Sequence, residues 1–201
     1  MVERYPKTHS PFVREDGTVL DEIKEGFEWV FEKQTVKAVE KLDGRNVAVE
    51  FSEGELVGIY SREGDEKKVE NGDVEYFEGV ARAIEKGWDE HIEKDGVTYG
   101  ELLGPRPQGN PYDLDSHIWI PFSKANDWLE YESWGNHPKT FENISQWFNP
   151  EEFGLIPLFY SEFHGVDFET ALSEGYVEGV IFYDEETGKR AKLRKDMFDW
   201  Y

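Results

Sequence analysis

Thr35-Val36-Lys37-Ala38-Val39-Glu40-Lys41-Leu42-Asp43-Gly44-Arg45-Asn46-Val47-Ala48-Val49-Glu50-Phe51 is the stretch on which the reading of this chain turns. From Val36 the residues alternate. Val36, Ala38 and Glu40 fall on one face and Lys37, Val39 and Lys41 on the other, the period-two signature of a strand. That strand delivers Lys41 at its end. Asp43-Gly44 then reads as a tight turn into a second strand, Val47–Phe51, and Gly54 marks the turn to a third, Leu56–Arg62. A lysine is a nucleophile only when its amine is unprotonated, and neighbouring cations favour that form. Lys33, Lys37 and Arg45 lie close enough in sequence to act as such neighbours.

Outward from this stretch, Ile23, Phe27, Val30 and Phe31 stand at helical spacing and predict a helix over residues 21–32. Asp73 is placed to cap a helix whose stripe is Phe77, Val80, Ala81, Ile84 and Trp88. Further strands are expected at Val97–Leu103, His117–Phe122, Leu155–Tyr160, Tyr176–Tyr183 and Arg190–Arg194, with helices near 140–148 and 167–174. Without regular β-α-β alternation the pattern predicts an α+β fold, with mainly antiparallel sheets flanked by helices. No repeat, low-complexity tract or Pro/Gly/Ser linker divides the 201 residues, so a single domain over 1–201 is expected.

The bulk numbers narrow the class. Lys and Arg total 22 against 44 Asp and Glu, a formal charge of −22, yet 15% of the residues are aromatic, enough for a core. This composition reads as a folded protein of a high-salt cytoplasm, a halophilic archaeon or its virus, where the Debye length shrinks to roughly 3 Å at 1 M salt. With no cysteine, disulfides, thiolate catalysis and zinc–thiolate sites are excluded. The five histidines have no metal-ligand spacing, and no apolar run approaches the ~20 residues that span a bilayer.

Three further segments carry polar groups in places that call for a reason. Tyr99-Gly100-Glu101-Leu102-Leu103-Gly104-Pro105, continuing to Gln108-Gly109-Asn110-Pro111-Tyr112, puts a carboxylate inside an apolar strand. In Glu178-Gly179-Val180-Ile181-Phe182-Tyr183, alternation places Glu178 on the face of Val180 and Phe182, where a charge needs a cation partner such as magnesium. Lys189-Arg190-Ala191-Lys192-Leu193-Arg194-Lys195 packs five basic residues into seven positions, with Lys192 and Arg194 on one side. In so acidic a chain that island is the natural place for phosphate. No P-loop or Gly-x-Gly-x-x-Gly stretch is present, so nucleotide handling needs another scheme.

Taken in order, the four segments resemble the motif series of the covalent nucleotidyltransferase superfamily, which comprises ATP-dependent RNA and DNA ligases and mRNA capping enzymes. Glu40-Lys41-Leu42-Asp43-Gly44 looks like the nucleotidyl-lysine motif, and Ser61-Arg62-Glu63-Gly64 resembles the arginine-bearing segment that follows. Glu101 and Glu178 match the third and fourth motifs' carboxylates, and Lys192-Leu193-Arg194 the fifth motif's basic pair. Glu40 before the lysine, with the run from Gly100 to Tyr112, looks most like ATP-dependent RNA ligases.

The resemblance implies a nucleotidyltransferase (ATP-grasp-like ligase) fold. Lys41 is then the adenylated nucleophile, with Glu40 and Asp43 of its motif on the nucleotide. Arg45 and Glu101 contact the ribose region, Arg62 meets phosphate, and Glu178, with Glu101, serves Mg2+ or Mn2+. Lys192 and Arg194 hold the α-phosphate, and Trp119, preferred over Phe122, stacks on the base. The implied reaction forms lysyl-AMP from ATP, transfers AMP to a 5′-phosphate RNA end and seals it to a 3′-hydroxyl. The alternatives are a DNA ligase core, a capping-type guanylyltransferase or a non-catalytic nucleotide- or RNA-binding module. Only Asp196–Tyr201 follows the last motif, so a minimal form with no OB-fold or helical C-terminal domain is expected. RNA contacts are expected from the 189–195 island and from Lys33, Lys37, Lys67 and Lys68, with an accessory protein possible and no membrane partner.

Overall fold

A computed structural model describes residues 2–151 and 154–201. The chain opens with an antiparallel hairpin, β1 (Phe12–Glu15) and β2 (Thr18–Ile23). Its turn is Asp16-Gly17, both at positive φ (49° and 99°), which is the Asp-Gly hairpin turn that the right-handed strand twist favours. The helix expected over 21–32 is therefore mostly absent. β2 takes up its first turn, and only α1 (Trp29–Glu32) is helical. Gly26, at φ 83°, lies between the two.

β3 (Val36–Lys41) follows, then β4 (Arg45–Ser52), β5 (Glu55–Ser61), α2 (Val74–Glu85), β6 (Gly96–Leu103), β7 (Ile118–Pro121) and α3 (Phe122–Trp128). The remainder holds α4 (Phe141–Phe148), α5 (Leu158–His164), α6 (Phe168–Glu174), β8 (Gly179–Asp184) and β9 (Arg190–Arg194). All the strand pairs in the three sheets are antiparallel. The chain divides into two compact units.

The first unit, Lys7–Leu42 with Leu129–Tyr201, contains a three-stranded sheet of order β3-β8-β9. Val36, Ala38, Val180, Phe182, Ala191 and Leu193 point from one face into a core with Trp134, Ile144, Phe148 and Met197. The sheet's edges are not left bare. Glu40 donates its N–H to Leu129 and Tyr131 donates to Ala38 on one side, while Lys192 donates to His9 on the other. Thr140 and Asp167 accept the N–H of Asn143 and Thr170, capping α4 and α6 where the sequence placed helices.

The run Leu155–Tyr160, expected as a strand, begins a helix instead. Short apolar runs do not distinguish the two by period. Here Pro157 stands at the N-cap of α5, and Glu40 Oε2 accepts the Phe159 N–H at 2.9 Å, satisfying a helix-end donor from a distant strand.

The second unit, Asp43–Trp128 with the N-terminal residues up to Pro6, is a four-stranded sheet of order β5-β4-β6-β7. Val47, Val49, Ile59, Leu102 and Trp119 form its core with Tyr76, Val80 and Ala83 of α2. The buried stripe of α2 is thus rotated from the expected one. Ala81 and Ile84 are exposed, the latter by 43%, and Asp73 precedes the helix without capping it. Its carboxylate accepts the Lys68 N–H instead.

Candidate active site

In the first unit the register sets Lys41 opposite Gly179 and Gly179 opposite Arg194, so the lysine and the arginine flank one glycine across three strands. A Cβ at Gly179 would run into the Leu193 carbonyl oxygen and lie 2.7 Å from Arg194 Cα, so only glycine lets β9 approach this closely. Glu178 stands just before β8. Its carboxylate touches the Lys41 ammonium through Oε2 and lies 3.6 Å from Arg194 Nη1 through Oε1. Lys41 also donates to the Leu42 carbonyl at 3.2 Å. The side chains are 18% (Lys41), 12% (Glu178) and 33% (Arg194) exposed, so the cluster is open enough for a ligand and dry enough for its charges to matter. Lys192 lies two pairs along the same strand, opposite Ile181.

Several sequence-based expectations change here. Glu178 does not share the apolar layer of Val180 and Phe182, because the strand ladder begins only at Gly179 and the carboxylate turns to Lys41 and Arg194. Glu40, expected at the cofactor, instead faces the interior at 2% exposure, where it caps α5. Burial pushes its carboxyl up to about 8, against the opposing pull of the Phe159 and Leu158 N–H groups and of Lys195.

Lys33 and Lys37 are not free cationic neighbours of Lys41. Lys33 pairs with Asp184 at 2.8 Å and with Glu186, and Lys37 pairs with Glu130 at 3.1 Å and Glu185 at 3.0 Å. The hydrogen bonds that they donate to Asp184 and Glu185, respectively, raise their pKa values.

In the second unit, Glu101 Oε1 accepts the Gly44 N–H at 3.2 Å, and the Tyr112 hydroxyl accepts the Asp43 N–H at 2.7 Å. These bonds hold the segment leading into β4 against β6 and the Gly/Pro loop after it. Arg45 reaches Glu75 at 3.5 Å, and Arg106 reaches the same carboxylate at 3.1 Å. Sequence reasoning missed Glu75 and Arg106. Glu75 lies in the first turn of α2, a position no motif marks, and only the fold shows that it carries two guanidinium groups. Arg62 lies in the exposed turn after β5.

Trp119 is the clearest correction. It is fully buried in this unit's core, and its indole Nε1 donates to the Val47 carbonyl at 3.3 Å, so neither face is offered to a base. Phe122, the other choice, is partly buried, with its ring 4.8 Å from that of Tyr5.

Among the described residues no group of three or more His, Asp or Glu side chains is placed to hold a metal ion. No helix among them is long and apolar enough to cross a membrane.

A point mutant of the Naegleria gruberi RNA ligase, solved with ATP and Mn, has a similar fold at TM-score 0.51 and 14% identity, covering 94% of this chain and 59% of that one. A second mutant with ATP and Mn gives TM-score 0.49 at 16% identity, over 96% and 58% of the two chains. The same ligase with PPi gives 0.48 at 15%, over 96% and 62%. The present chain thus spans about three fifths of the length of these solved structures. No curated protein matches it. The α+β arrangement of antiparallel sheets and flanking helices is similar to the fold of that RNA ligase. The RNA ligase family model matches residues 34–194, from the residue before Thr35 to the last residue of β9, and the chain belongs to the RNA ligase family.

Proposed function

We propose that this chain is an ATP-dependent RNA ligase whose Lys41 becomes covalently adenylated. The observation that carries the reading is the contact of Lys41 Nζ with the Glu178 carboxylate, beside Arg194, within a span matched by the RNA ligase family.

Lys41 attacks only as a free amine, so its ammonium proton must leave to solvent first, while the Glu178 carboxylate in contact with it orients the nitrogen. The amine then attacks the α-phosphorus of ATP. The bond to the bridging β-phosphate oxygen breaks, pyrophosphate departs opposite the lysine with that bond's electron pair, and the nitrogen gives its second proton to water to leave a phosphoramidate. Lys192 and Arg194 neutralise charge on the α-phosphate. AMP then passes to a 5′-phosphate RNA end and is displaced by a 3′-hydroxyl.

Magnesium binds through one or two protein carboxylates plus substrate phosphate oxygens, and Glu178 supplies one such carboxylate. Glu178 would hold Mg2+ or Mn2+, and the ion would supply further charge neutralisation. By the family pattern Asp43, Arg45, Glu101 and Arg62 act on the nucleotide's ribose, metal and phosphates, each tested by substitution in the same assay.

The −22 charge supports two narrower points. The protein works in a high-salt cytoplasm, and it engages RNA through local basic surface or an accessory protein, since phosphate contacts supply most nucleic-acid affinity.

Mass spectrometry after incubation with ATP and magnesium tests the reading. An AMP adduct is expected on the wild type and none on Lys41→Ala. Labelling by GTP instead of ATP would point to a capping-type enzyme, and sealing of nicked DNA but not RNA to a DNA ligase core.

A further inference from the structure

Beyond the residues that the motif series covers, the first unit holds a cavity of about 460 Å³, within the usual range for ligand pockets. It is lined by Lys7, His9, Arg14 and Lys24 from the N-terminal segment and hairpin, and by Lys192 and Arg194 from β9. No Asp or Glu lines it, although acids outnumber bases two to one in the chain. The cations are brought together by pairing. Lys192 donates its N–H to the His9 carbonyl, which lays residues 7–10 along β9, and Lys24 donates its N–H to the Pro11 carbonyl. Arg14 Nε and Nη2 donate to the Gly17 carbonyl at 3.0 and 2.7 Å, fixing two of its five donors. No carboxylate among the described residues forms an ion pair with Lys7, Arg14 or Lys24. Arg194, which is held by Glu178 and Asp196, joins this cavity to the Lys41 cluster.

We propose that this cavity is a phosphate-monoester pocket that receives the 5′-phosphate of the RNA strand, with Arg14, Lys24 and Lys7 as its strand-reading cations. The inference rests on the adenylation reading above. In-line substitution sets the entering and leaving groups at opposite apices of the α-phosphorus. Pyrophosphate leaves opposite Lys41 Nζ in the first step. In the second, a 5′-phosphate oxygen forms its bond to the same phosphorus from the apex that pyrophosphate vacated. The phosphorus–nitrogen bond breaks, and its electron pair returns to Nζ, which takes a proton from water. One oxyanion pocket beside Lys192 and Arg194 would serve that apex in both steps.

Binding without ATP tests the pocket, measured by fluorescence anisotropy of one labelled oligoribonucleotide carrying either a 5′-phosphate or a 5′-hydroxyl. The wild type is expected to prefer the phosphorylated strand, and pyrophosphate to compete with it. Arg14→Gln combined with Lys24→Gln should weaken binding of the phosphorylated strand about tenfold, as expected for two partly exposed charge contacts, and leave the hydroxyl strand unchanged. Arg14→Lys should recover part of the loss. Equal weakening of both strands would overturn the proposal, because the cations would then be reading backbone charge alone. Equal wild-type affinity for both strands, with pyrophosphate binding lost in the variant, would overturn it in favour of the nucleotide's own leaving group. Failure of the wild type to form an AMP adduct defeats the adenylation reading alone, since this comparison contains no nucleotide.

Discussion

Glu40→Gln should flatten the loss of stability that the wild type suffers as pH rises from 5 to 8. Glu40 is buried, and its carboxyl is pushed from an ordinary 4.5 up to about 8, chiefly by desolvation. A raised folded-state pKa means that the folded chain keeps a proton that the unfolded chain gives up. The contribution is fully present below pH 4.5, declines as the unfolded chain ionises, and is lost once pH passes about 8. At about 1.4 kcal/mol per pH unit, the total decline approaches about 5 kcal/mol, with about 3 kcal/mol already gone at pH 7.

Glutamine keeps an acceptor for the Phe159 N–H and cannot ionise. The variant should therefore match the wild type near pH 5 and exceed it by several kcal/mol at pH 8. Urea unfolding at pH 5, 6.5 and 8, at one fixed high KCl concentration, gives the two curves. Parallel curves, or a glutamine variant weaker at pH 8, would refute the account of a desolvated carboxyl that stays protonated. Glu40→Ala separates the cap from the charge. It leaves the Phe159 N–H without its acceptor, at a cost of about 1–3 kcal/mol.

Trp119→Ala should destabilise the protein by about 3–5 kcal/mol in chemical unfolding, as for other large core truncations. Trp119→Phe should keep ATP affinity, and a large loss there would restore the stacking role. Gly179→Ala should push β9 away from β8 at Arg194 and lower the yield of AMP adduct. Wild-type yield in a folded variant would show that the close approach is not needed. Glu75→Ala releases Arg45 and Arg106 together, so ATP affinity measured by calorimetry should fall even though Glu75 carries no motif. Thermal unfolding in 0.1 M against 3 M KCl should show a Tm that rises with salt, through screening of the −22 charge. A flat or falling Tm would remove the high-salt reading.

Much of this molecule was legible locally. Strand β3 and its terminal Lys41, β6 with Glu101 and β9 with Lys192 and Arg194 all follow from period-two alternation, which acts over a few positions, whereas Asp43-Gly44 is no hairpin turn, since β3 and β4 join different sheets. The Asp16-Gly17 turn was equally local, and only the competing helical spacing of Ile23 and Phe27 obscured it. The caps at Thr140 and Asp167 precede α4 and α6 because a short oxygen-bearing side chain satisfies an N–H three residues on.

What alternation does not carry is the partner of each polar group. That Glu40 turns inward to cap α5, that Glu178 turns away from the core to Lys41, that Lys33 and Lys37 are already neutralised, and that Trp119 is packed rather than presented all depend on residues distant in the chain. Burial and charge pairing are properties of assembled neighbours. They arise only when the sheets close and set which carboxylate meets which cation.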